Sequence, residues 1–333
     1  MKDSVLVTGG AGYIGSVVVA QLLARGYPVV VLDDLSRGHR AAVAPEATFV
    51  QGGVGDRAAL DALLRSHPCH ALVHLAAYAL VGESVAEPEM YRANNVTAGR
   101  VLLERAAAAG VRRVVFSSSC AVYGHPSVTP IPEDAPLAPV NPYGETKRDF
   151  ERLLADYARG DGASVVNLRY FNAAGATAHQ GEDHVPETHL VPNVLRVASG
   201  RQLALDIQGT DYPTPDGTAV RDYVHVLDIA DAHVRALEAD LTQAGSEGRT
   251  ATVNLGTGVG YSVLAVAEAA RRVTGRAIPA VARPRRPGDP PELVAAAGRA
   301  ATILGWRPRH SSLEEILASA WAWHQAHPHG YGN

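Results

Sequence analysis

At 333 residues, 47% of them hydrophobic and with a formal net charge of −4, the sequence has the size and apolar content of a globular protein of about two domains. Its scattered arginines form no basic stripe, which argues against a nucleic-acid partner, and it shows neither a signal segment nor a long apolar run, which points to the cytoplasm and away from a membrane. Cys69 and Cys120 are too few and too poorly spaced for a disulfide framework or a zinc site and are expected to be free thiols.

In chain order, short apolar runs read as buried strands at 4–8, 28–33, 47–51, 71–76, 113–118 and 164–170. Amphipathic stretches separate them, at 16–25, 57–65 and 90–109. Runs of this length with helices between them predict a parallel sheet covered on both faces. The expected fold is therefore α/β, a Rossmann-like doubly wound parallel sheet with a smaller C-terminal substrate-binding domain. After Phe171 the sequence loosens into Gly, Pro, His and Asp-rich loops, with helices expected at 192–199, 228–239, 262–274 and 313–324. The division is set at 1–176 for the nucleotide-binding part and 177–333 for the substrate-binding part. It is a soft boundary, and part of 219–240 is expected to pack back on the first domain.

The string "VLVTGGAGYIGS" puts Gly9, Gly10, Gly12 and Gly15 at a strand-to-helix turn, satisfying both GxGxxG and TGxxGxxG. Glycine is needed there so that the chain turns sharply and a pyrophosphate can approach the backbone at a helix N-terminus. Asp33, at the end of the second predicted strand, stands at the distance where an acidic residue meets the adenosine ribose. With Asp34 it would repel a 2′-phosphate, so NAD is the expected cofactor; Arg37 and Arg40 are the residues that could favour NADP instead.

Apart from Lys2, the chain has a single lysine, Lys147, in "NPYGETKRDF". Asn141 followed by Pro142 reads as an N-cap and first helical position. Tyr143 and Lys147 then lie one turn apart on the same helical face. A phenol with a pKa of about 10 needs roughly 4 kcal/mol of help to ionise near neutral pH. An ammonium about 5 Å away would supply roughly 3 kcal/mol of it, and the nicotinamide cation the remainder.

TGxxGxxG together with YxxxK resembles the extended short-chain dehydrogenase/reductase group. The ordered strings "VTGGAGYIGS", "VGESV", "FSSSCAVYG", "NPYGETK", "LRYFN", "DYPTPDGTAVRDYVHV", "NLGTG", "RRPGD" and "HPHGY" resemble the UDP-glucose (UDP-galactose) 4-epimerase family over nearly the whole chain. The resemblance implies an isomerase that epimerises carbon 4 of a UDP-hexose with tightly held NAD, acting as a homodimer through the helices within 90–109 and 142–157. It places the catalytic base on Tyr143, its lysine on Lys147 and the catalytic serine on Ser119. Cofactor contacts fall on Gly9, Gly12, Tyr13, Ile14, Gly15, Asp33 and Asp34, on Val54, Leu75, Ala76 and Ala77, and on Asn95, Ser117, Tyr143, Lys147 and Tyr170. Substrate contacts fall on Ser119, Tyr143, Asn172, His189, Leu190, Arg221, Arg286, Asp289 and Leu293. Two arginines suit a diphosphate, whose oxygens match planar guanidinium forks.

The sequence departs from the family pattern at Gly53, where an aspartate usually meets the adenine, at Ala79, and at His189, where many members carry asparagine. Alternative readings are a nucleotide-sugar 4,6-dehydratase or decarboxylase, or a non-catalytic dinucleotide sensor. Against the dehydratase, "SSSCAVYG" has no Asp-Glu pair; against the sensor, both Tyr143 and Lys147 are present. His179, His184 and His189 lie in the polar loop without a carboxylate spacing for a metal, so substrate contact or solvent is expected for them and no metal.

Overall fold

The computed structural model describes residues 2–241, 249–286 and 288–332. Its strands are β1 (Val5–Thr8), β2 (Val29–Asp33), β3 (Thr48–Gln51), β4 (Ala71–His74), β5 (Arg113–Ser119), β6 (Ser164–Tyr170), β7 (Asn172–Ala174), β8 (Leu205–Gln208), β9 (Val220–His225), β10 (Thr250–Leu255), β11 (Gly260–Ser262), β12 (Ala280–Arg283) and β13 (Glu292–Leu293). The helices are α1 (Tyr13–Ala24), α2 (Arg57–Ser66), α3 (Val81–Ala86), α4 (Pro88–Arg92), α5 (Gly99–Ala108), α6 (Pro142–Asp161), α7 (Leu190–Ala198), α8 (Val226–Glu238), α9 (Val263–Thr274), α10 (Gly298–Leu304) and α11 (Leu313–Ala326).

Seven strands form one parallel sheet in the order β10-β6-β5-β4-β1-β2-β3. The chain direction of winding reverses between β1 and β4, so a crevice opens there at the carboxyl ends of the strands, where doubly wound sheets bind ligands. The apolar runs are buried on both sides except in β3, expected as a buried strand, which lies at the edge of the sheet with its residues exposed or half-buried. One layer packs α1 and α8 through Val18, Leu22, Ile229 and Val234; the other packs α2, α5 and α6 through Leu60, Leu102, Phe150 and Leu154. A second body of structure gathers α7, α9 and α11 around Val194, Val266 and Ile316.

Two features of the second half matter for the site. β10 returns to the main sheet beside β6, with Leu255 in register with Tyr170, and α8 packs on α1. The small sheet formed by β11, β9 and β13, with β7 beside β9, therefore sits at the carboxyl edge of the large one. The single helix expected at 90–109 is broken: α4 ends at Arg92, residues 93–98 widen into a π-helical turn, and α5 begins at Gly99. Such a bulge turns a side chain out of the regular helical stripe, here Asn95, which is buried.

Candidate active site

The site begins where β1 ends. Gly9 adopts φ +75°, and a Cβ there would lie 2.5 Å from the backbone nitrogen of Ala76, so the glycine turn packs directly on the Leu75–Ala77 segment after β4. The N-cap of α1 is Gly12, with no side-chain cap, which leaves the amides of the first turn to a ligand. Gly15 faces the Gly9 carbonyl too closely for any side chain. Asp33 closes β2 with both carboxylate oxygens oriented: Oδ2 accepts from Ala11 N at 2.9 Å and Oδ1 from Leu35 N at 2.9 Å. Burial pushes its pKa up, opposed by those two amides. These residues fit NAD: a cradle that a Cβ would fill, free helix amides, and a fixed carboxylate for the ribose hydroxyls. Of the two arginines that could take a 2′-phosphate, Arg37 is paired with Glu83 at 2.5 Å and Arg40 lies over the Phe49 ring.

Other positions on the cofactor side take varied places. Ile14 packs against the core beneath α1, and Val54 is buried in the opposite layer. Tyr13 donates to the Gly175 carbonyl at 2.6 Å, tying α1 to the chain after β7. Asn95 clamps the loop after β4, accepting from Tyr78 N at 2.9 Å while its amide donates to the Tyr78 carbonyl and to Thr146. The Tyr170 hydroxyl meets His233 Nε2 at 2.5 Å across the sheet, a partner on α8 that sequence spacing did not reveal. Asp34 is exposed and turned to Ser36. Nothing approaches the Cβ position of Gly53, and Asp56 is spent capping α2.

Helix α6 starts as its sequence predicts: Asn141 Oδ1 accepts from Gly144 N at 2.9 Å, and Pro142 is the first helical residue. This sets Tyr143 and Lys147 on one face, with the Lys147 Nζ 5.7 Å from the Tyr143 ring centre. Lys147 is 3% exposed and donates to the Ser117 carbonyl at 2.7 Å. Burial brings its pKa down to about 7, with Glu151 opposing. Burial also pushes Tyr143 up to about 12, and the Ser119 hydroxyl works against that rise. Desolvation weakens the charge on the lysine and raises the phenol at the same time, so Lys147 supplies less than the full ammonium expected from the sequence, and the share left to the nicotinamide cation is larger. Ser119 itself is half-buried at the end of β5, its Oγ accepting from Ala121 N at 3.2 Å.

Two buried polar groups behind this face were not recognised from sequence. His74 closes β4, 2.7 Å from Thr8 Oγ1; burial and then the charge of Lys147 hold its pKa down at about 3, so it stays neutral. Glu151 forms a two-pronged pair with Arg169, at 2.9 and 2.7 Å, and accepts from Ser118 at 2.5 Å. Both were visible only as polar letters inside apolar strand and helix patterns.

On the substrate side, β9 and β13 bring Arg221 and Leu293 into register. Arg221 Nη2 contacts Asp289 Oδ1 at 2.5 Å and the Pro290 carbonyl at 2.8 Å. Arg286 is exposed; its carbonyl accepts from Asp289 N at 3.2 Å. Leu293 is buried in a small cluster with Cys120, Tyr123 and Phe171, directly beside the Ser119 loop. Asn172 lies on β7, opposite Tyr223 of β9. His189 and Leu190 open α7. The reading of the histidine loop needs correction: Glu182 and Glu187 do stand beside His184 and His189, with Glu182 Oε1 2.7 Å from His189 Nδ1. Burial alone would lower the His189 pKa, but the two glutamates outweigh it and hold it well above the ordinary value. His179 is outside this group of four.

A parallel sheet wound in this order, a glycine turn at its switch point and a Tyr–Lys pair on the helix after β5 define a dinucleotide-dependent α/β enzyme of the short-chain dehydrogenase/reductase kind. Residues 5–256 match the NAD dependent epimerase/dehydratase family, and the chain belongs to that family. It is 49% identical over 329 residues to a UDP-glucose 4-epimerase of Lactobacillus helveticus, covering 98% of each chain. Among solved structures it is similar to UDP-glucose 4-epimerase from Brucella ovis in complex with NAD, at 46% identity and TM-score 0.91, covering 96% of this chain and 98% of that one. It is also similar to UDP-glucose 4-epimerase from Bifidobacterium longum in complex with NAD+ and UDP, at 37% identity and TM-score 0.93, covering 98% and 99%.

Proposed function

We propose that this chain is an isomerase that interconverts UDP-galactose and UDP-glucose through a 4-keto sugar, with tightly held NAD as cofactor. The observation that carries the reading is the Lys147–Tyr143 face of α6 set against Ser119 at the carboxyl edge of a dinucleotide-binding sheet. When bound, NAD supplies the reversible hydride acceptor that the side chains lack. Tyr143 takes the proton of the sugar's 4-hydroxyl and later returns it, Ser119 shares that hydrogen bond, and Lys147 supplies adjustable positive charge beside the phenol. Rotation of the 4-keto sugar between the two transfers presents its other face, and no net redox results. Arg221, with Arg286 and His189, serves the UDP diphosphate; Asp33 serves the cofactor ribose.

The division into a cofactor part, 1–176, and a substrate part, 177–333, belongs to this proposal, as do a cytoplasmic location and a homodimer built on α5, α6 and the segment between α4 and α5. Leu293 bears on sugar range. A leucine beside Ser119 leaves room for a 2-acetamido group that a tyrosine ring would fill, so slower turnover of UDP-N-acetylglucosamine is expected. The cofactor assignment is tested by denaturing the purified protein and analysing the supernatant. NAD or NADH should be released; its absence, together with stoichiometric consumption of added NADH, would place the protein among the reductases instead.

A further inference from the structure

The loop between β7 and α7 carries four metal-type donors, of which only His189 has a part in the proposed function. Glu182, His184, Glu187 and His189 each offer a ligand atom, and these atoms all lie within 4.8 Å of one another. His189 Nδ1 is 2.7 Å from Glu182 Oε1 and 2.9 Å from Glu187 Oε1, while His184 Nδ1 is 3.2 Å from Glu182 Oε1. In a tetrahedral site with metal–ligand bonds near 2.0–2.1 Å, neighbouring donors stand roughly 3.3 Å apart. The three separations fall short of that by roughly 0.1–0.6 Å, so the two short ones would have to open as the ion replaces the proton they now share. We propose that these four side chains form a site for one divalent metal ion of the zinc type.

Three further observations support it. The Glu182 side chain is 6% exposed and that of Glu187 3%, so both carboxylates are withdrawn from water and turned toward the same His189 nitrogen, where a metal ion could take the place of the ring proton. Asp183, the intervening acid, is turned away to Tyr331 N at 3.0 Å, so the chain sorts its acidic side chains toward two different partners. His189 occupies the N-cap of α7 yet makes no side-chain cap; its ring points to the carboxylates instead. Outer contacts hold the donors in place: His189 N donates to Glu187 Oε1 at 2.7 Å and Asn193 Nδ2 to the His189 carbonyl at 2.9 Å. Two imidazoles with two carboxylates favour zinc or cobalt over magnesium or calcium, which take sets made wholly of oxygen. Bound there, the ion would fasten the 182–189 loop to the start of α7, whose apolar face is anchored in the core through Val191, Val194 and Leu195.

The test uses the full chain, treated with a chelator, exchanged into metal-free buffer and titrated with Zn²⁺ by calorimetry and with Co²⁺ by visible absorption. One equivalent per chain and the intense bands of four-coordinate cobalt are expected. His184→Ala, a change at a half-buried loop position, should weaken binding by more than about tenfold and remove the bands. Glu187→Gln, as a second variant, should do the same. Failure of the native chain to take up a stoichiometric ion overturns the proposal, and so does unchanged affinity in a folded variant, which would assign the ion to other histidines.

Discussion

Replacing Lys147 by methionine should abolish catalysis and at the same time stabilise the fold in a pH-dependent manner. Lys147 is 3% exposed, and burial lowers its pKa from 10.5 to about 7. Between those values the unfolded chain binds the proton and the folded chain does not, so raising the pH favours the folded state. Below pH 7 the folded protein carries the full cost of the buried ammonium, on the order of 5 kcal/mol from the size of the shift. Methionine fills similar space without charge, though it leaves the Ser117 carbonyl without its donor at a cost of about 1–3 kcal/mol. The variant should therefore be more stable by a few kcal/mol at pH 6, and its advantage should shrink by roughly 2 kcal/mol between pH 7 and pH 9. Urea unfolding of both proteins at constant ionic strength, after bound nucleotide has been removed so that ligand binding does not add to the gap, measures the difference. A gap that is independent of pH, or that widens as pH rises, would refute the account of Lys147 as a charge held against its own desolvation.

Other consequences can be checked more briefly. Tyr143→Phe removes the proton acceptor without changing the ring, so turnover should fall about 10²–10⁴-fold while circular dichroism is unchanged; near-native turnover would contradict its role. Lys147→Arg keeps a charge but cannot lose it or fit the Ser117 carbonyl in the same way, and should also lose turnover. Gly9→Ala forces a Cβ to within 2.5 Å of Ala76 N at φ +75°, so the purified variant should carry far less NAD than wild type; equal cofactor content would show that the turn is not the cradle. Leu293→Tyr should shift the ratio of UDP-N-acetylglucosamine to UDP-glucose turnover downward by about 10-fold or more, and an unchanged ratio would remove Leu293 from the specificity argument.

The parallel sheet was legible because β1, β2 and β4 are short apolar runs of strand length, and β5 and β6 begin with such runs, with helix-length segments between them. The start of α6 was legible because capping and the proline at its first position are local chemistry. The substrate side was harder. β7, β11 and β13 are two or three residues long and carry no period of their own; they exist because β9 offers them an edge. The return of β10 beside β6 is a long-range pairing that no window of sequence contains. The same holds for Tyr170 with His233, and for Glu151 with Arg169 and Ser118. Glu182 and Glu187 were overlooked for another reason: in a loop rich in Asp, Glu and His, spacing alone does not say which carboxylates turn inward.

The most direct measurement of the central claim is to incubate the purified protein with UDP-galactose, adding no NAD, and to follow the sugar by proton NMR. The account predicts that UDP-glucose appears until the two sugars reach equilibrium, with no net formation of NADH and no loss of oxygen from carbon 6. No UDP-glucose from protein shown to contain NAD, or a 4-keto-6-deoxy product in its place, would contradict it.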